Sequence, residues 1–184
     1  TISFPDDSQL YSIDNEAFSY SSLSTIKLPS SVQSIGENAF SFCKHLNSID
    51  FPENSQLCNI KKHAFFNSSL EKLTLPSNIQ ELQEGWCEGT PKLTKIYLSG
   101  RNKRFLFLDE KILMWKTFNH IKNFDVLLFC CRNVEKVIIP SYIKRISSFA
   151  FSDCNQLQTI FFKDNSELNS IDRSAFLNSL IKHI

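Results

Sequence analysis

Glycine is scarce in this chain, with Gly36, Gly85, Gly89 and Gly100 the only four among 184 residues. No Gly-rich loop able to cradle a phosphate can be drawn from them, and "GEN" at 36–38 reads as turn chemistry. A charge excess is missing as well. Twenty Lys plus Arg face 19 Asp plus Glu, a formal net charge of +1, so the basic excess that generic nucleic-acid binding relies on is not there, and no nucleic-acid partner is expected. The longest uninterrupted apolar run, "VLLFCC" at 126–131, falls far short of the roughly 20 residues that cross a bilayer as a helix. No basic segment followed by an apolar one opens the chain, and membrane insertion within this stretch is not expected. The six cysteines form no C-x-x-C and no Cys/His spacing of a zinc site, so neither metal nor cofactor is expected.

What the chain does have is apolar residues, 42% of the total with 17 Phe among them, enough for a sizeable core. They recur. The pattern apolar-x-x-apolar followed four residues later by Ala-Phe appears as "LYSIDNEAF" at Leu10, "VQSIGENAF" at Val32, "LCNIKKHAF" at Leu57, "IKRISSFAF" at Ile143 and "LNSIDRSAF" at Leu168. A further copy, "IQELQEGWC" at Ile79, carries Trp86 and Cys87 in the Ala-Phe positions. A second apolar pattern follows the first: "LSTIKLP", "LNSIDFP", "LEKLTLP", "LTKIYLS" and "LQTIFFK". Spacings of 22 and 25 residues alternate, the long form ending in "FPENSQL" or "FKDNSEL" and the short form in "LPSSV" or "LPSNI". The chain opens and closes within a repeat, which makes it read as a piece of a longer array with neighbouring repeats beyond it.

Repeats of this length predict a solenoid. Ile26 and Leu28 alternate with Thr25 and Lys27, the period of a half-buried strand, and stacked copies would form a right-handed coil with a parallel ladder. Pro5, Pro29, Pro52, Pro76 and Pro140 each follow the last apolar residue of such a strand and would end it, having no N–H for the ladder. Phe18, Phe40, Phe65, Phe151 and Phe176 would form an aromatic spine on the opposite side, with Ala before each because the next coil leaves little room.

These repeated Ala-Phe and Ile-x-Leu-Pro units resemble the BspA-like leucine-rich repeat family, and the resemblance covers nearly the whole chain. It implies a leucine-rich repeat solenoid of stacked parallel β-strand coils, mostly β and turns. It also implies adhesion or ligand binding without catalysis, since family members are largely surface proteins of host-associated bacteria and parasitic protists.

One segment departs from the pattern. Regular repeats at 1–98 and 134–184 flank a divergent stretch, 99–133, within a single solenoid over 1–184. "RFLFLDEKILMW" predicts a hairpin joined around Asp109 to Lys111 and "DVLLFCC" another strand. The stretch reads as one divergent hairpin-bearing coil, the hairpin insertion being either drift without consequence or a projecting contact element. Cys43 and Cys154 share one repeat position, and mostly buried free thiols are expected, with a disulfide or a reactive thiol as the alternative. His45, His63, His120 and His183 are scattered and read as solvated rather than as ligands. Asp109 and Glu110 read as turn formers rather than an acid–base pair. Asn67-Ser68-Ser69 fits the N-glycosylation acceptor pattern, unless Ser or Asn stands there for structural reasons.

Two functions fit this sequence: an extracellular adhesion or host-ligand-binding segment of a larger surface protein, or an intracellular repeat scaffold. The outward residues of the main strands form the column Lys27, Asp50, Thr74, Tyr97, Ile138 and Phe161. Tyr97, Ile138 and Phe161 are the candidate protein-binding residues, a host surface or matrix protein being the expected partner class, unless the hairpin folds over them and buries them within the same chain. If the divergent coil supplies one strand between Tyr97 and Ile138, the three form a continuous apolar line.

Overall fold

The computed structural model describes residues 2–5, 7–118 and 122–183, and His120 lies outside them. The chain divides into two compact units, Thr1–Asn102 and Lys103–Ile184.

In unit 1 the strands follow one another as β1 (Ile2–Ser3), β2 (Ser12–Ile13), β3 (Thr25–Lys27), β4 (Ser34–Ile35), β5 (Ser48–Asp50), β6 (Asn59–Ile60), β7 (Lys72–Leu75), β8 (Glu81–Leu82) and β9 (Lys95–Leu98). The odd-numbered strands form one parallel sheet, β1-β3-β5-β7-β9, and the even-numbered ones a second, β2-β4-β6-β8. Coils therefore stack in register, with Ile26 opposite Ile49 and Leu73 opposite Ile96. Ile13, Ile35, Ile60 and Leu82 make a second inward column. This is the leucine-rich repeat solenoid that the spacing predicts, each coil completing the core of the next.

The alternation of coil length has a hydrogen-bonding cause. In short coils the Pro29 and Pro76 carbonyls accept the N–H of the apolar residues Val32 and Ile79, both at 3.3 Å. In long coils a serine takes that bond, Ser8 to Pro5 at 3.1 Å and Ser55 to Pro52 at 3.0 Å. The serine hydroxyl then accepts the N–H of the apolar residue two positions on, Leu10 and Leu57, each at 3.3 Å. The Ser-x-Leu of the long form is thus a serine turn. It accounts for two of the three extra residues, the third lying between Phe40 and Leu46.

The Ala-Phe corner is held by a pair of left-handed residues, one just before Ala and one two residues after Phe. They are Glu16 and Tyr20 (φ 59° and 60°), Asn38 and Phe42 (54° and 57°), His63 and Asn67 (54° and 55°), and Gly85 and Gly89 (63° and 69°). The corner carries its own ladder: Phe18, Phe40 and Phe65 donate to the carbonyls of Ala39, Ala64 and Trp86, each at 2.8 Å. Registered backbones stack the rings, Phe18 on Phe40 at 5.2 Å and Phe40 on Phe65 at 5.8 Å. Cys87 takes the spine position in the next coil, but the ring that meets Phe65 is Trp86, edge-on at 6.3 Å, from the position Ala holds elsewhere. That position does not always lack room.

Unit 2 contains β10 (Phe105–Leu108), β11 (Ile112–Trp115), β12 (Val126–Cys130), β13 (Lys136–Ile139), β14 (Arg145–Ile146), β15 (Thr159–Phe162) and β16 (Ser170–Ile171). β10 and β11 are the expected hairpin. Asp109 and Glu110 both have positive φ, 51° and 54°, and Lys111 N–H donates to Leu108 O at 2.9 Å, the geometry of a type I′ turn. β12 is the other expected strand; it pairs antiparallel with β11 and parallel with β14. The divergent stretch is thus a hairpin-bearing coil, as the sequence suggests, with β12 beside β14 in the sheet β10-β11-β12-β14-β16. β13 and β15 form a separate parallel pair. Within unit 2, the divergent coil's β12 pairs with β14 rather than with β13. Among the described residues no helix is long and apolar enough to cross a membrane.

Candidate functional site

All six residues of the outward column are exposed. Their strands alternate burial because Val137 and Ile139, or Ile96, turn into the core and leave the residue between or beyond them on the surface. In unit 1, Lys27 lies opposite Asp50 and Thr74 opposite Tyr97. In unit 2, Ile138 lies opposite Phe161, at about one strand spacing, ~5 Å. Ile138 is 58% exposed and Phe161 52%, and Tyr97 in unit 1 is 52% exposed. Within unit 2, Ile138 and Phe161 on neighbouring strands form an apolar surface that water covers poorly.

The hairpin borders this surface without covering it. Leu108, Asp109, Lys111 and Ile112 form one wall of a shallow cleft and Ile138 and Phe161 the other. The type I′ turn puts the hairpin's charged tip at the cleft edge, where Asp109, Lys111 and Lys136 join the apolar lining. Burial, and then the Asp109 charge, raise the half-buried Tyr142 phenol above its ordinary range, so it stays a neutral hydrogen-bond donor at pH 7. The cleft can grip an apolar side chain and orient it through charges of both signs.

Unit 1 has a groove that the sequence did not single out. Phe51 stands where strands of the short coils carry Leu28 and Leu75, both fully buried, yet it is half-buried and lines a groove with Pro52, Thr74, Pro76, Ser99 and Arg101. The signal was available, since Phe follows the outward residue only in long coils, at Phe4, Phe51 and Phe162.

The remaining candidates separate clearly. His45 and His183 are exposed, as expected for solvated side chains. His63 is not simply solvated: its ring is half-buried, Nε2 lies 3.1 Å from Glu88 Oε2, and Phe66 packs at 5.5 Å. Asn67 holds a left-handed corner, and its Oδ1 accepts from Lys44 Nζ at 2.6 Å, which supplies a structural reason for Asn there. The six cysteines are thiols, not disulfides, and Cys58 alone is not buried. Cys43 and Cys154, alike in repeat position, belong to different units and have different neighbours.

The family model described as the BspA type leucine rich repeat region matches residues 1–107 and 122–184, with six copies. Among solved structures, the pneumococcal vaccine antigen PcpA is 31% identical with a TM-score of 0.86, over 95% of this chain and 42% of that one. A leucine rich cell surface protein from Faecalibacterium prausnitzii A2-165 is 23% identical with a TM-score of 0.74, over 86% of this chain and 40% of that one. A leucine-rich repeat protein from Eubacterium ventriosum shares the fold at 22% identity and a TM-score of 0.71, over 91% of this chain and 48% of that one. The chain spans less than half the length of each. No curated protein matches the sequence.

Proposed function

Because the chain belongs to the BspA-type leucine-rich repeat family, we propose that it is a non-catalytic protein-interaction module, an adhesion or host-ligand-binding segment of a larger protein at the cell surface. Proteins of this family are typically surface proteins engaged in protein interaction, and two of the similar structures are described as a vaccine antigen and a cell surface protein. The observation that carries the reading is the exposure of Ile138 and Phe161 side by side beside the hairpin tip. Exposed apolar side chains on a rigid ladder cost solubility and return nothing to the core, so a contact is their physical use. The partner is a protein that seats an apolar side chain against Ile138 and Phe161 and offers polar groups to Asp109, Lys111 and Lys136. Tyr97, on the outward face of unit 1, is a second contact of the same chemistry.

The test replaces Tyr97, Ile138 and Phe161 together by Ser and measures thermal unfolding alongside binding to a panel of immobilised matrix and host-cell surface proteins. Exposed positions should change stability by no more than about 0.5 kcal/mol each, while binding seen with the parent chain should be lost. Retained binding sinks the surface. A large loss of stability shows instead that these side chains are core.

A further inference from the structure

Unit 2 encloses a group of reactive side chains that the recognition surface does not use. Cys130 stands at the corner position that Phe fills in regular coils, since its N–H donates to Ala150 O at 2.8 Å as a spine Phe would. With no ring there, Arg132 enters the corner. It is 2% exposed, and its guanidinium lies 4.6 Å from the Phe129 ring centre. Nη1 donates to Ala150 O at 3.2 Å and to Cys154 Sγ at 3.5 Å, and Nη2 to Ser152 Oγ at 3.5 Å. Cys154 Sγ is 3.9 Å from the Cys130 carbonyl oxygen, and the Cys130 thiol donates to Cys131 O at 3.5 Å. Both cysteines are 0% exposed.

We propose that Cys154 and Cys130 are a peroxide-reactive thiol pair, in which Cys154 is oxidised first and Cys130 converts it to a disulfide linking adjacent coils. The inference is independent of the binding role proposed above. A thiolate is the reactive form, and the arrangement favours one at Cys154. The neighbouring Cys130 thiol, opposed by burial and helped by Arg132, brings the Cys154 thiol down to about 7, whereas the neighbouring Cys154 and then burial push Cys130 well up. One member is the nucleophile and the other keeps its proton. Peroxide is the oxidant class that fits, because it is small enough to reach an enclosed sulfur during brief local opening.

In the first step the Cys154 thiolate attacks one peroxide oxygen and the O–O bond breaks. The departing hydroxide takes the proton that Cys154 had released and becomes water, leaving a sulfenic acid. In the second, Cys130 sulfur attacks Cys154 sulfur and the S–O bond breaks. The leaving hydroxyl takes the Cys130 proton as a second water. Two thiols lose two electrons, and one peroxide is reduced to two waters.

Treatment of the folded chain with hydrogen peroxide, followed by thiol blocking and non-reducing peptide mass mapping, tests this. The expected product joins the peptides of Cys130 and Cys154 and is two hydrogens lighter than the thiol form. The Cys130→Ser variant should stop at a Cys154 sulfenic acid that a dione probe traps. Cys43 is the internal control. It is equally enclosed, but Ser21 stands beside it at 3.3 Å in place of a thiol and an arginine, and burial raises it. Cys154 should react at least about tenfold faster than Cys43, and Arg132→Met should slow Cys154 by a similar factor. Equal oxidation of Cys43 and Cys154 means the reaction runs through unfolding and overturns the proposal, as does a Cys154 that stays reduced while the chain is folded. Both outcomes are read in the unsubstituted protein, so neither depends on the variants folding.

Discussion

A left-handed backbone costs a residue with a side chain about 1–2 kcal/mol, yet Tyr20, Phe42 and Phe149 adopt it at φ 60°, 57° and 62°. The corner ladder imposes it, because only the paired left-handed geometry aims each coil's N–H groups at the next coil's carbonyls. Gly85 and Gly89 meet the same demand without strain. Gly85→Ala should destabilise more than Gly89→Ala, since a Cβ at 85 would come within 2.6 Å of the His63 ring whereas one at 89 meets Asn67 Cα at 3.2 Å. Urea unfolding of the two variants reads the order, and equal midpoints would contradict it. Phe40→Ala and Phe65→Ala should each cost about 3–5 kcal/mol, because both rings are fully enclosed. The spine was legible from the sequence because Ala-Phe recurs as letters. The left-handed pairs were not, since Glu, Asn, His, Gly, Phe and Ser alternate at those sites and conformation rather than residue type is what repeats. The His63–Glu88 pair was hidden for a related reason: its partners come from successive coils, and no local pattern joins them.

At the scale of the element, two of the three residues that lengthen a coil belong to one serine turn. Ser55→Ala removes the acceptor for Leu57 N–H at a site that is 1% exposed, and an orphaned buried donor costs about 1–3 kcal/mol. Ser31, half-buried, makes a different bond, to the Ser8 and Leu10 carbonyls, so Ser31→Ala should cost less in the same denaturation experiment. The hairpin offers the opposite case. Glu110→Gly relieves a left-handed residue at the second turn position, where glycine is favoured, and should raise stability by up to about 1 kcal/mol after the added chain entropy is counted. A lower melting temperature would mean that the Glu110 side chain holds the turn in some other way. The hairpin was readable because apolar runs flank a charged turn. The place of β12 was not: Phe129 and Cys130 stand where Ala and Phe mark the register of a coil elsewhere, so the divergent coil could be recognised but not aligned.

On the scale of the whole molecule, each unit is held by neighbour-to-neighbour contacts, and protection should follow position within a ladder. β1 is an edge strand and β5 is central in the same sheet, so amide exchange at Ile2 and Ser3 should outpace that at Ser48 and Ile49. Uniform protection across the sheet would show the edge to be covered. The stacking also has a mechanical side. In unit 1 the ladders of both sheets and of the Ala-Phe corner all run from one coil to the next, so a pull applied at Ile2 and Leu98 loads the bonds of the outermost coil before those behind it. Coils of 22 and 25 residues would then peel away singly, each releasing about 70–85 Å of chain once its own thickness is subtracted. Force–extension traces should therefore show a sawtooth whose steps alternate between a shorter and a longer length. One rip spanning the entire unit would mean that the spine rings share load across coils, and that the array resists tension as a rod rather than as a stack of separable links.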